Sequence, residues 1–127
     1  MPDKIVTTTG KSHLLKLGFG AETSKFTVMR LGTGTSAPQA SDTGLAQEVT
    51  ASSYTPQTVT ATFSSSTPTV TLEATFNENN ITTTTQITEL GIFTAESTPK
   101  MFCRCKIPSV TKDGNVSVTF RVSITIS

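Results

Sequence analysis

The chain has 127 residues, a formal net charge of +1 and 35% hydrophobic content, and serine and threonine together make up about a third of it. That length is one domain's worth: enough to enclose a core without disulfides, too little for a catalytic domain beside a binding domain. Near-neutral charge argues against nucleic acid or another polyanion as the main partner. Threonine at this frequency points to β-structure, because its branched β-carbon suits a pleated, half-buried surface and loses rotamer freedom in a helix.

The opening MPDKIVTTTG has no apolar core of a signal peptide. No later apolar run approaches the roughly 20 residues that span a bilayer, so a soluble protein kept without export and without a membrane partner is expected. Residues 1–9 have two readings. They are an arm whose Lys4, Ile5 and Val6 dock on an adjacent subunit by strand addition, or they are the first strand of the domain that occupies residues 10–127. The next segment, KSHLLKLGF at residues 11–19, is the one stretch that reads as helix, limited to a couple of turns by its glycines.

The apolar run from Phe26 to Leu31 leads into LGTGTSAPQASDTGL, residues 31–45. Glycines spaced by one residue after a strand suggest a phosphate loop. However, Gly32 and Gly34 lack a third glycine, Pro38 and the polar residues around Asp42 leave no helix to present amides, and no Gly-Lys-Ser/Thr follows. A long surface connection, available for interaction, is the better account.

Beyond it, period-two alternation dominates. Val59, Ala61 and Phe63 share a face of QTVTATF, and Val70, Leu72, Ala74 and Phe76 share a face of TVTLEATF; the SSSTP between them reads as a turn joining neighbouring strands. In ITELGIF the parity switches around Gly91, with Ile87 and Phe93 on one side and Leu90 and Ile92 on the other, which predicts a β-bulge or a strand buried on both faces. MFCRCKI alternates Met101, Cys103, Cys105 and Ile107 with Phe102, Arg104 and Lys106. TKDGN then turns into a final strand whose Val116, Val118, Phe120, Val122, Ile124 and Ile126 fall on one face. Six or seven strands and one short helix define an all-β protein, an antiparallel β-sandwich.

Charge is segregated. No lysine or arginine lies between Arg30 and Lys100, whereas that span holds Asp42, Glu48, Glu73, Glu78, Glu89 and Glu96. Either basic terminal strands pair with acidic middle strands inside one sheet, or acidic and basic surfaces meet between subunits.

Reactive chemistry is sparse. His13 is the only histidine and the CxC pair lies on a distant strand, one ligand short of a zinc site. A bridge between Cys103 and Cys105 would be strained, so both are expected as free thiols acting as small apolar residues. No motif marks a nucleophile and no spacing pairs two carboxylates, so an enzyme is not expected, and neither is a metal or cofactor. A sugar platform of exposed aromatics is missing, since the chain has no tryptophan and a single tyrosine, Tyr54; the Tyr54 ring is expected at the edge of the core with its hydroxyl on a polar partner.

The order of GTGTSAPQASDTGL, Tyr54, two alternating strands, TELGIF and a terminal alternating strand resembles short virion proteins of tailed bacteriophages: tail-fibre-like proteins, tail adaptors, and capsid cement or decoration proteins. The resemblance runs from about Lys11 to the end and departs from the usual pattern at Thr55 and Pro56, where an arginine commonly follows the tyrosine. It implies a non-enzymatic structural subunit of the virion, made in the host cytoplasm and forming a homo-oligomer, with a trimer favoured. The implied partners are other virion proteins, major capsid or tail. A receptor-binding module contacting host-surface glycans is the alternative.

Overall fold

The computed structural model describes residues 3–126. Two antiparallel sheets pack face to face. The first, in the order β1-β7-β6-β2-β3, consists of β1 (Lys4–Val6), β7 (Met101–Lys112), β6 (Thr85–Thr94), β2 (Phe26–Gly32) and β3 (Gln57–Thr58). The second, in the order β4-β5-β8, consists of β4 (Thr60–Ser64), β5 (Thr69–Phe76) and β8 (Val118–Thr125). The fold is thus an all-β sandwich with one helix, α1 (Thr8–Gly18). Its eight strands exceed the six or seven expected because QTVTATF, read as one strand, divides into β3 and β4.

Alternation places the core. Leu72, Ala74 and Phe76 of β5 and Phe120, Val122 and Ile124 of β8 face Met29, Leu31, Ile87, Leu90, Ile92, Cys103 and Cys105 of the larger sheet, all buried. Both cysteines are free. The Cys105 thiol beside it, together with burial, holds the Cys103 thiol well above its usual pKa.

Three local features depart from the pattern. The helix begins three residues before the expected start because Thr7 caps it: its Oγ1 accepts from the Gly10 N–H at 2.9 Å and donates to the Met101 carbonyl at 2.9 Å. Gly10 sits where any Cβ would strike the Phe102 carbonyl, so the helix lies directly on β7. The segment QTVTATF is not one strand: it leaves the first sheet after Thr58 and enters the second at Thr60, with Val59 at the corner. Consequently Ala61 and Phe63 lie on the inner side of β4 but are exposed, Phe63 by 77%. Finally, the irregularities of β6 flank Gly91 instead of falling on it. One register shift lies between Ile87 and Glu89 and another between Ile92 and Phe93, while Gly91 itself pairs with Arg104. Residues Glu89 to Thr94 are buried without interruption, so this strand is covered on both faces.

Lys4, Ile5 and Val6 form β1, paired antiparallel with Cys105, Arg104 and Cys103 of the same chain. Within the single chain this is the placement of a first strand. No helix among the described residues is long and apolar enough to cross a membrane.

Candidate interaction loop and the clamp beneath it

The glycine-rich connection after β2 is a closed loop. Its ends pair with each other, Thr33 N–H donating to the Gln47 carbonyl at 2.8 Å and Val49 N–H to the Leu31 carbonyl at 3.0 Å, and Gly32 bridges to Glu48. Between these ends the chain folds over the outer face of the larger sheet. There it meets two charged side chains that point away from the core, Glu89 on β6 and Arg104 on β7.

Those two residues are the anchor. The Glu89 carboxylate is fully buried and accepts from the backbone N–H groups of Gly34 (2.8 Å), Ala46 (2.9 Å) and Gln47 (2.8 Å), and from Arg104 Nε at 2.9 Å. Arg104, 2% exposed, extends its other nitrogens to Asp42 Oδ2 at 3.1 Å and the Ser36 carbonyl at 2.9 Å. Thr88 Oγ1 donates to the Gly34 carbonyl at 2.7 Å. Burial alone would raise the Glu89 pKa; three amides and a guanidinium outweigh it and hold the carboxyl below its ordinary value.

The loop is therefore an anion cradle after all, and its anion is internal. Gly32 and Gly34 are required by close approach, since a Cβ at either would collide with the Glu89 side chain. Of the four loop residues singled out by sequence, Gly32, Gly34 and Pro38 are buried, and Asp42 is half-buried and engaged by Arg104. They shape the loop from below. The outward surface of the loop is instead Thr35, Ser36, Gln39, Ala40, Ser41 and Thr43, all exposed. The loop is also tied to α1, whose Thr8 N–H donates to the Ala40 carbonyl at 2.9 Å.

A second set of contacts holds the far end. Glu48 accepts from Arg30 Nη1 at 3.0 Å and from the Tyr54 hydroxyl at 2.8 Å, and that hydroxyl accepts from the Leu31 N–H at 3.0 Å. The Arg30 guanidinium lies 5.4 Å from the centroid of the Phe93 ring. Beside them is an open depression of about 640 Å³ lined by Arg30, Leu45, Glu48, Phe93, Glu96 and Pro99.

The segregated charges pair within the chain: Arg30 with Glu48, Arg104 with Asp42 and Glu89, Lys100 with Glu96, and Arg121 with Glu73 across β5 and β8. Five of the six middle carboxylates thus have a basic partner from a flank. His13 is buried against Phe26, with Nε2 2.6 Å from the Ser24 carbonyl. Among the described residues no group of histidine, cysteine and carboxylate side chains is placed to hold a metal ion.

Sequence reasoning missed the Glu89–Arg104 anchor, although a signal was present. Each is a lone charge inside an otherwise apolar strand, ELGIF and FCRC, at a position where charge is costly unless paired. Comparison with protein-family models, with curated proteins and with solved structures finds no match.

Proposed function

We propose that this protein is a non-enzymatic structural subunit of a tailed-phage virion, which binds neighbouring subunits to build or reinforce the particle as a capsid decoration or tail component. The observation that supports this reading best is the clamped loop. A buried ion pair and a set of hydrogen bonds are committed to fixing a long connection whose outward residues are mostly small and hydroxyl-bearing, with no histidine, cysteine or charged side chain among them. Rigid display without chemistry suits recognition by a partner, because little ordering entropy is lost on docking. The uncovered apolar side chains around β4 further suit a subunit that completes its burial against neighbours.

Virion location is directly testable. Antibodies against the chain, applied to purified particles from the source of the sequence, are expected to label head or tail, and mass spectrometry of those particles is expected to find the chain at a fixed stoichiometry. A chain confined to the host cytoplasm and missing from the particles refutes the proposal. Deleting the outward tip, residues 39–41, is expected to abolish particle binding and leave the sandwich folded.

A further inference from the structure

The sandwich has four sheet edges, and three are protected. The β1 edge is three residues long and carries Lys4. The β3 edge is two residues long. The β8 edge carries Arg121, and Lys4 Nζ donates to its Ser123 carbonyl. Short length, lysine and cover are the usual devices against edge-to-edge association. The fourth edge, β4, has none of them. It spans five residues, pairs with β5 without a bulge, is exposed at every position and lies in a stretch, residues 49–72, with no charged side chain.

Its inner side is also uncovered. Phe63 borders an apolar groove of about 280 Å³ at the open end of the sandwich, with Leu14, Val70, Phe102, Ile124 and Ile126. Phe63 is 77% exposed, Ile126 62% and Leu14 37%.

The sequence of β4, TATFS, is complementary to itself. Antiparallel pairing with an identical strand, centred on Thr62, sets Thr62 opposite Thr62, Ala61 opposite Phe63 and Thr60 opposite Ser64. Small then meets large on the apolar side, and hydroxyl meets hydroxyl on the other. The polar side continues a pattern already present, because Thr62 is in register with Thr71, whose hydroxyl bonds Ser123 at 3.0 Å, and Ser64 with Thr69, whose hydroxyl bonds Thr125 at 2.8 Å. Antiparallel pairing of identical strands is two-fold symmetric by construction, so the contact closes.

We infer that the β4 edge binds the β4 edge of a second copy of this chain in that register, joining two three-stranded sheets into one of six strands and covering Phe63 on both. Pairing covers the open backbone edge of both strands together with the exposed Phe63 side chain. Strand and groove carry no charge, so pairing is not opposed by repulsion between the copies. The inference deepens the assembly reading only in naming a like copy as one neighbour; it predicts units of two, where the resemblance favours three, and does not require a virion.

Sedimentation of the full chain over a concentration series tests it, together with three variants. Wild type is expected to form a dimer whose mass is insensitive to salt. Phe63→Lys, at an exposed site, is expected to keep the circular dichroism and unfolding curve of wild type while weakening the dimer roughly tenfold or more. Thr62→Cys is expected to give a covalent dimer on mild oxidation, since Cys103 and Cys105 are buried, whereas Thr125→Cys at the opposite edge is not. A wild-type chain that stays monomeric at every concentration, a dimer indifferent to Phe63→Lys, or cross-linking at Thr125→Cys in place of Thr62→Cys overturns the inference. Each of these results leaves the virion-labelling experiment to decide the assembly reading separately.

Discussion

Glu89 on β6 and Arg104 on β7 are diagonal neighbours on the outer face of the larger sheet, with 2.9 Å between Oε1 and Nε, at side-chain exposures of 0% and 2%. Two buried charges are stable here because their remaining hydrogen-bonding capacity is used, by three loop amides on the acid and by Asp42 and Ser36 on the base. The pair thus joins the outer loop to the sheet as a unit.

Removing the Glu89 charge leaves the buried Arg104 with Asp42 as its one carboxylate and gives the three loop amides a weaker acceptor. Glu89→Gln keeps the size of the side chain and is expected to destabilise the fold by about 3 kcal/mol, measured by denaturant unfolding. Amide exchange is expected to localise the damage, with Gly34, Ala46 and Gln47 losing protection before the core strands do. Unchanged protection at those three amides would mean that the loop is held by something other than the carboxylate.

The same anchor sets a pH dependence. The Glu89 carboxyl is held below its ordinary value of 4.5, burial being outweighed by the amides of Gln47 and Ala46, by Arg104 and by the Gly34 amide. A depressed pKa in the folded state favours the charged form there, so its contribution to stability is present above the unfolded value and is lost as pH falls through the folded one. Between neutral pH and about pH 3, wild type is expected to lose stability more steeply than Glu89→Gln. Parallel profiles for the two proteins contradict this linkage.

How much of this was legible depended on whether the deciding contact was local. Alternation in TVTLEATF and in the final strand marks the side chains that enter the core, because a strand with one buried face needs nothing beyond its own sequence to declare it. The same alternation in QTVTATF hides the corner at Val59, since a strand that changes sheets keeps its parity while its cover changes; hence Ala61 and Phe63 look like core and are exposed. In the glycine loop the spacing that suggests an anion cradle is local, but the anion comes from a residue 55 positions after Gly34. No feature of the loop names Glu89 as its ligand. The paired charges show the same limit: their segregation along the chain is plain, and which partner each one takes is decided by sheet order.

Tyr54 joins the loop to the core edge through one oxygen. Its hydroxyl accepts from the buried Leu31 N–H and donates to Glu48, so Tyr54→Phe leaves a backbone donor without a partner, at a cost of about 1–3 kcal/mol. Burial, together with the Glu48 carboxylate, pushes the phenol far above its ordinary value of 10.0, the Leu31 amide opposing. The stability this reflects is present below the unfolded value and is lost as pH rises beyond it. Phenolate absorbance is expected only with alkaline unfolding; a titration near pH 10 with the fold intact shows instead that the hydroxyl is free.

Lys112 makes the strongest demand on the opposite end of the sandwich. Its side chain is fully buried with no carboxylate partner among the described residues, and Nζ donates to the carbonyls of Asn80 at 2.5 Å and Asp113 at 2.6 Å. The next residue, Ile81, is buried with φ at +57°, a left-handed conformation that a β-branched side chain adopts at a cost of about 1–3 kcal/mol. Asn80 is held in turn by Thr55, whose N–H and carbonyl pair with its side-chain amide at 3.2 and 2.8 Å. The ammonium gathers the carbonyls that this strained turn presents inward, and the turn persists because its partners over-determine it. Lys112→Met keeps a four-atom apolar stem but leaves those carbonyls unpaired. It is expected to destabilise the protein by about 2 kcal/mol and to speed amide exchange in residues 77–84, with the Glu89 clamp unaffected. A Met variant as stable as wild type would show that the turn holds itself and that the buried cation contributes nothing to it.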